Sequence, residues 1–323
     1  MKRVVPFLAI AVTLGLAPAA GASDGSLDEV RDAMAKATFT GDVAVSWRDG
    51  ATLRRTSVAV RAEHGAIEFD GPVPIVKTLD SYFVRMSGGW SDLAPNAETL
   101  QPTADKYTLR RDVGPAVAGR PTASLEILDG GRVRERVALD RELGVVLRRE
   151  QFDDDGVVVR RVEFTSFTPA MTAKRHGRPG AFRVETPSTM GGVPAPYRAP
   201  VALDGGYRRV GVYKRGPVVQ VVYGDGVYGL SVFEQPGRLN GDELPTAGRP
   251  ATVAGHRARS YVWPGGRLVT WEAGGSTFTV VGDGLPADVL AAAASLKTAR
   301  ALSAGQRLRQ TARELVETLS GRG

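Results

Sequence analysis

The chain has no cysteine among its 323 residues and only 3 histidines. Disulfide staples, thiolate metal sites and lipid attachment through an N-terminal cysteine are therefore excluded. Whatever folds here must hold by core burial alone, and the length suffices for two domains that do so. Long apolar runs are also scarce. VVPFLAIAVTLGL follows Lys2 and Arg3, is short for a membrane span, and precedes the small residues Ala20-Gly21-Ala22. That pattern predicts a secretory signal peptide over residues 1–22, cut after Ala22, with an uncleaved anchor as the competing reading. The mature chain is expected to be periplasmic or otherwise extracytoplasmic, and peripheral to a membrane at most.

Recognisable catalytic spacings are missing as well. There is no G-x-S-x-G, no H-E-x-x-H and no P-loop. His64, His176 and His256 each sit in or beside a glycine-rich turn, with no partner at a metal-ligand spacing. Asp153-Asp154-Asp155-Gly156 lacks the alternate ligands and distant glutamate of a calcium loop and reads as a tight turn. The expectation is a binding protein, not an enzyme, with no cofactor and no metal.

Positive charge is what the chain has in excess, with 42 Lys and Arg against 35 Asp and Glu, a net +7. An exported protein rarely meets nucleic acid, so none is expected as a partner. The arginines come as doublets: Arg54-Arg55, Arg110-Arg111, Arg148-Arg149, Arg160-Arg161 and Arg208-Arg209. On a strand each doublet sends one guanidinium to either face. The bland outcome is one snorkelling and one solvated guanidinium; the sharper one is attraction to anionic headgroups or an acidic partner segment.

Periodicity is mostly that of strands. Ser26 to Ala37 reads as a short helix, with Ser26 and Glu29 in capping-box spacing and Leu27, Val30 and Met34 on one face. In FTGDVAVSW the period becomes two, with Phe39, Gly41, Val43, Val45 and Trp47 on one side. TLRRTSVAVRAE, SYFVRMSGGW, PTASLEIL, RVRERVALD, GVVLRREQF and GVVVRRVEFTSF repeat this grammar between turn signals. They predict a large curved antiparallel sheet over residues 23–168, less regular between Asp70 and Tyr107, where a short helix or lid is one option. A proline-rich linker follows over 169–204. Residues 205–298 then read as a smaller antiparallel sheet closed by a helix with Pro286 in its first turn. An amphipathic helix is expected within 299–323, with Leu308, Ala312, Leu315 and Leu319 along one stripe. The fold class is thus mainly β.

Within the second domain, VVQVVYGDGVYGLSVF carries Gly224, Gly226 and Gly229 as G-x-G-x-x-G. A dinucleotide site needs that loop to open a helix, yet Leu230 to Glu234 alternates and Pro236 stops it. A hairpin turning at Asp225-Gly226 fits better.

Three stretches resemble the RseB/MucB family of periplasmic sigma-E regulators. They are Val117 to Phe167 with its V-x-G-R opening, VVYGDGVYGLSVFEQPG, and GGSTFTVVGDGLPADVLAAAASL. They occur in the family's order, while 70–107 matches weakly and the helix beyond Ala301 extends past the pattern. The resemblance implies a first domain of the lipoprotein-carrier type, an unclosed barrel holding an acyl-chain or lipoprotein ligand. It also implies a second domain that contacts the extracytoplasmic segment of a membrane anti-sigma factor and shields it from proteolysis. A lipid or lipoprotein carrier without a signalling role is the alternative, and a secreted enzyme with a dispersed site a third. The expected cavity residues are Phe39, Val43, Val45 and Trp47. For the partner, Tyr223, Tyr228 and Phe233 offer aromatic area, and Arg208, Arg209, Lys214 and Arg215 offer charge that steers an acidic peptide.

Overall fold

The computed structural model describes residues 26–63, 66–70, 75–77, 81–86, 89–95, 106–170, 188–189, 192–193, 197, 199–241 and 244–296. The expected signal segment, the helix within 299–323, His64, His176 and most of the 169–204 linker lie outside them.

Helix α1 spans Ser26–Lys36. Its apolar face turns inward: Val30 is buried, and Met34 packs against both large core clusters. Eleven strands follow: β1 Phe39–Asp49, β2 Thr52–Glu63, β3 Ala66–Asp70, β4 Ile75–Lys77, β5 Ser81–Met86, β6 Gly89–Pro95, β7 Tyr107–Val113, β8 Thr122–Asp129, β9 Arg132–Asp140, β10 Val146–Phe152 and β11 Val158–Pro169. They form one sheet in the order β6-β5-β4-β3-β2-β1-β11-β10-β9-β8-β7. Every pairing is antiparallel, so two meanders meet where β1 pairs β11. A bulge in that pair, at Asp42/Val43, bends the sheet there. Apart from Lys106, which is in a turn, the described parts of the irregular stretch 70–107 are strands.

The arginine doublets show how the sheet's two faces differ. On one face Arg110, Glu126, Arg136, Glu150 and Arg161 lie in register across β7, β8, β9, β10 and β11. Their charges alternate and are bridged throughout, Arg110 to Glu126, Arg136 to Glu126 at 2.8 Å, Arg136 to Glu150 at 4.0 Å and Arg161 to Glu150 at 2.6 Å. Cross-strand neighbours of opposite sign are the stabilising pairs of a sheet. On the opposite face stand Arg149 and Arg160, which are buried, and Arg111, which is exposed. Each doublet does send one guanidinium each way.

The second sheet contains β12 Ser188–Thr189, β13 Arg208–Arg215, β14 Val218–Gly224, β15 Gly229–Pro236, β16 Arg249–Val253, β17 His256–Trp263, β18 Gly266–Ala273 and β19 Ser276–Gly282. Its order is β12-β13-β14-β15-β19-β18-β17-β16, again antiparallel. Two of these residues, Ser188 and Thr189, come from the linker. Helix α2, Pro286–Ala294, closes the sheet, with Pro286 in its first turn and Val289, Ala292 and Ala293 buried. Trp271 and Phe278 stack at 5.4 Å beneath it.

The two sheets do not keep separate interiors. One cluster joins Leu125, Ile127, Val137 and Val146 of the first sheet to Tyr228, Leu230, Val280 and α2 of the second. A second cluster, Phe39, Val43, Val45, Val58, Val60, Phe69, Val162 and Phe164 among others, belongs to the first sheet alone. Expecting each domain to hold itself by its own core therefore needs correcting: the second sheet borrows part of its apolar contacts from the first.

Candidate functional site

The expected cavity residues fall on one face of β1. Phe39, Val43 and Val45 are fully buried, and Trp47 is half-buried beside the same cluster. Across the ladder stand Phe164, Val162 and Arg160, paired with Val43, Val45 and Trp47. Phe39 and Phe164 meet edge to face at 5.6 Å. The face is thus a continuous apolar stripe that turns polar at one end, where Trp47 and Arg160 stand side by side.

That polar end leads into the junction between the sheets. Arg149 of β10 donates to both carboxylate oxygens of Glu135 on β9, at 2.7 and 2.6 Å, and lies 4.0 Å from Asp283, just after β19. Gln151 and Arg160 both donate to the Asp283 carbonyl, at 3.1 and 3.0 Å. The Asp283 carboxylate accepts the Gly229 N–H at 2.8 Å. Burial pushes the Asp283 carboxyl up despite the two guanidiniums beside it. Burial pushes Arg160 down, and Arg149 adds to the effect by like-charge repulsion. Desolvation also weighs against charged Arg149, but Glu135 outweighs it and the guanidinium ends above its ordinary value.

A second contact stands a few residues away. The hairpin β14–β15 turns through Asp225 to Tyr228, with Gly226 at φ +97°, a backbone that favours glycine. Asp225 Oδ1 accepts the Val227 and Tyr228 amides at 3.0 and 2.7 Å. Its Oδ2 accepts the Tyr107 hydroxyl at 2.6 Å and Lys106 Nζ at 3.3 Å. Burial, reinforced by the Asp225 charge, pushes the Tyr107 phenol far up, so it stays protonated and donates. The Tyr107 and Tyr228 rings meet edge to face at 6.3 Å. The glycine spacing therefore builds a hairpin tip that plugs into the first sheet.

This placement corrects the expected partner surface. Tyr223 is 0% exposed and Tyr228 2%, so neither offers its ring to a partner. The run YGDGVY did not reveal this, because aromatics alternating beside a turn look alike whether the face is solvated or covered by another domain. Phe233 is half-buried, on the second sheet's other face, in register with Gln220 and Thr279. Arg208 is exposed and its register assigns it to the Phe233 face, while Arg209 turns to the other and donates to the Ala199 carbonyl at 2.9 Å. Lys214 is exposed on the Arg209 face, and the backbone of Arg215 ends β13. The structure thus gathers Phe233 and Arg208 on one face and separates them from Tyr223, Tyr228, Arg209 and Lys214. Sequence reasoning missed Glu135, Arg149, Gln151, Arg160 and Asp283; the burial of Arg149 and Arg160 depends on a domain remote in sequence.

No family model matches the chain, and no curated protein does. Among solved structures, the chain is similar to one described as the complex of Pseudomonas aeruginosa MucA and MucB. The identity is 20%, 87% of this chain and 100% of that one are covered, and the TM-score is 0.49. A structure described as MucB in complex with MucA(peri) gives 21% identity, 86% and 98% coverage and a TM-score of 0.46. A Vibrio parahaemolyticus domain assigned to outer-membrane lipoprotein sorting gives 10% identity, 46% and 92% coverage and a TM-score of 0.23. At these values the likeness is one of fold outline alone.

Proposed function

We propose that the protein is an exported regulatory binding protein, which holds the extracytoplasmic segment of a membrane anti-sigma factor and senses a lipid or lipoprotein through its first sheet. The observation that supports this reading is the residue match to the RseB/MucB pattern along three stretches. Those stretches fold as β8 to β11, as the β14–β15 hairpin, and as β19 with α2. The solved complex of MucA and MucB gives a protein of similar outline a protein partner; for this chain the support is its own residues. The division into a lipoprotein-carrier-like part over 23–168 and a smaller part over 205–298 belongs to the same proposal, as does export by cleavage after Ala22.

For the partner the proposal now rests on the Phe233 face, with Arg208 as an exposed cation on it. An acidic segment is the chemistry such a face takes, since a rim charge steers encounter and a half-buried aromatic supplies contact area. The test uses the full chain and a synthetic peptide of the extracytoplasmic segment of a co-encoded single-span protein. Arg208→Glu and Phe233→Ala are expected to weaken binding about tenfold each, and added salt to weaken it further. Absence of binding by the wild-type chain would sink the regulatory reading.

A second reading, a lipid or lipoprotein carrier with no signalling role, would need the stripe Phe39-Val43-Val45, which is packed within the first sheet's core, to open to an acyl chain. It is distinguished by acyl-chain uptake in a protein that ignores the peptide.

A further inference from the structure

Arg160 is 6% exposed, yet it is badly served for a buried cation. One guanidinium nitrogen, Nη2, donates to the Asp283 carbonyl, while Nη1 is buried without a hydrogen-bond partner. Among the described residues no carboxylate bridges it. Glu135 is held by Arg149, and the Asp283 carboxylate is turned to the Gly229 amide and towards Arg149. Asp283 and Glu135 act on the Arg160 charge only through space, and their carboxylates accept no hydrogen bond from its guanidinium.

Its cross-strand neighbour has the same defect. Trp47 pairs with Arg160, so both side chains leave the sheet on one face, with Cβ atoms about 5 Å apart. The Trp47 indole Nε1 is also buried with no partner. On the far side of Trp47, β2 puts Arg54 in register, exposed and bridged to Asp49 at 3.3 Å. The acids near this row, Asp49, Glu135 and Asp283, all have cationic or backbone partners already. Two buried donors without an acceptor on cross-strand neighbours, one of them cationic, are costly unless something accepts from them. Both are donor-only groups, so what completes them is an acceptor, and the charge on Arg160 selects an anionic one.

We propose that Trp47 Nε1 and Arg160 Nη1 form an oxyanion site, taking a phosphate or carboxylate oxygen where the apolar stripe of β1 and β11 meets the second sheet. Val45 and Val162, one step along the same face, continue from it as buried apolar side chains of the first sheet's core. The preferred occupant is then the headgroup of an amphiphile rather than free phosphate. This preference rests on the acyl-chain reading of the first sheet; the oxyanion site itself does not.

The experiment is calorimetric titration of the delipidated full chain, in phosphate-free buffer, with dodecyl phosphate, dodecanol and inorganic phosphate. The wild type is expected to bind dodecyl phosphate at least about tenfold more tightly than dodecanol, as a charge-assisted hydrogen bond implies. Arg160→Gln should erase that ratio and leave dodecanol affinity in place. Trp47→Phe keeps a ring of similar shape without the N–H and should lower the ratio several-fold, which covers the case in which Arg160→Gln fails to fold. Inorganic phosphate binding that is lost in both variants, without dodecanol binding, would support the oxyanion site and sink the acyl-chain reading. Equal affinity for dodecanol and dodecyl phosphate, unchanged by Trp47→Phe, would overturn the site while the acyl-chain reading stands. No binding of any of the three overturns both.

Discussion

The contact between Tyr107 and Asp225 gives the sharpest test of how the two sheets are joined. Tyr107 opens β7 in the first sheet, and Asp225 begins the hairpin turn of the second; the hydroxyl donates to Oδ2 at 2.6 Å. A hydrogen bond to a charged acceptor contributes about 1.5–3 kcal/mol net, and this one lies out of water. Tyr107→Phe removes the donor alone and should cost about that much. Asp225→Asn keeps Oδ1 for the Val227 and Tyr228 amides, so the turn survives, but presents an NH2 to the Tyr107 hydroxyl and Lys106. Lys106 keeps alternatives, the Gly205 carbonyl at 3.0 Å and Asp129 at 3.6 Å, so most of that loss is also the tyrosine bond.

The two changes must therefore be strongly non-additive. Urea denaturation of wild type, both single variants and the double variant is expected to give a coupling of about 1.5 kcal/mol or more. Coupling arises only if the sheets are docked as described. Additivity within about 0.3 kcal/mol would refute the contact. Two well-separated unfolding transitions in the wild type would refute the shared core, since sheets unfolding independently do not stabilise each other.

Acid should act on the charge ladder. Burial alone pushes the Glu126 carboxyl up, but hydrogen bonds from Arg110 and Arg136 outweigh it, and its folded pKa ends below the ordinary 4.5. A depressed folded value contributes stability that is present above 4.5 and lost as pH falls through the folded pKa. Glu126→Gln should lose less than wild type between about pH 7 and pH 3 by urea midpoint; parallel losses would count against the ladder. Gly266 is at φ +138°, and a Cβ there would stand 2.1 Å from the Gly282 carbonyl oxygen. Gly266→Ala should cost more than about 2 kcal/mol in the same assay. Gly130→Ala, at φ +57° with nothing within 4 Å of the added carbon, is the control and should cost roughly 1 kcal/mol.

What could be read before folding, and what could not, divides along the distance over which each signal acts. The hairpin at Asp225-Gly226 was legible because its causes are local: a positive-φ glycine, an aspartate that accepts two amides ahead of it, and alternation on either side. So was the alternation of β1, which set Phe39, Val43 and Val45 inward. The doublets told that each arginine pair splits between faces, because the strand period is two whatever the surroundings. They did not tell which member is buried: that depends on Asp283, which lies 123 residues beyond Arg160 in the chain. Tyr228 was misplaced for the same reason, since a residue facing a second domain has the same local pattern as one facing solvent, and Tyr223 is buried with its hydroxyl donating to the Pro200 carbonyl. The physical consequence is that a polar buried cluster sits where two apolar faces meet. An apolar junction of that kind would tolerate sliding, whereas Gln151 and Arg160 both donate to the Asp283 carbonyl and so hold it at one position. The junction thus sets the register between a sheet that carries the apolar stripe and a sheet that carries Phe233. Any ligand that takes Arg160 Nη1 would act on that register directly, because the same guanidinium holds the second sheet through the Asp283 carbonyl.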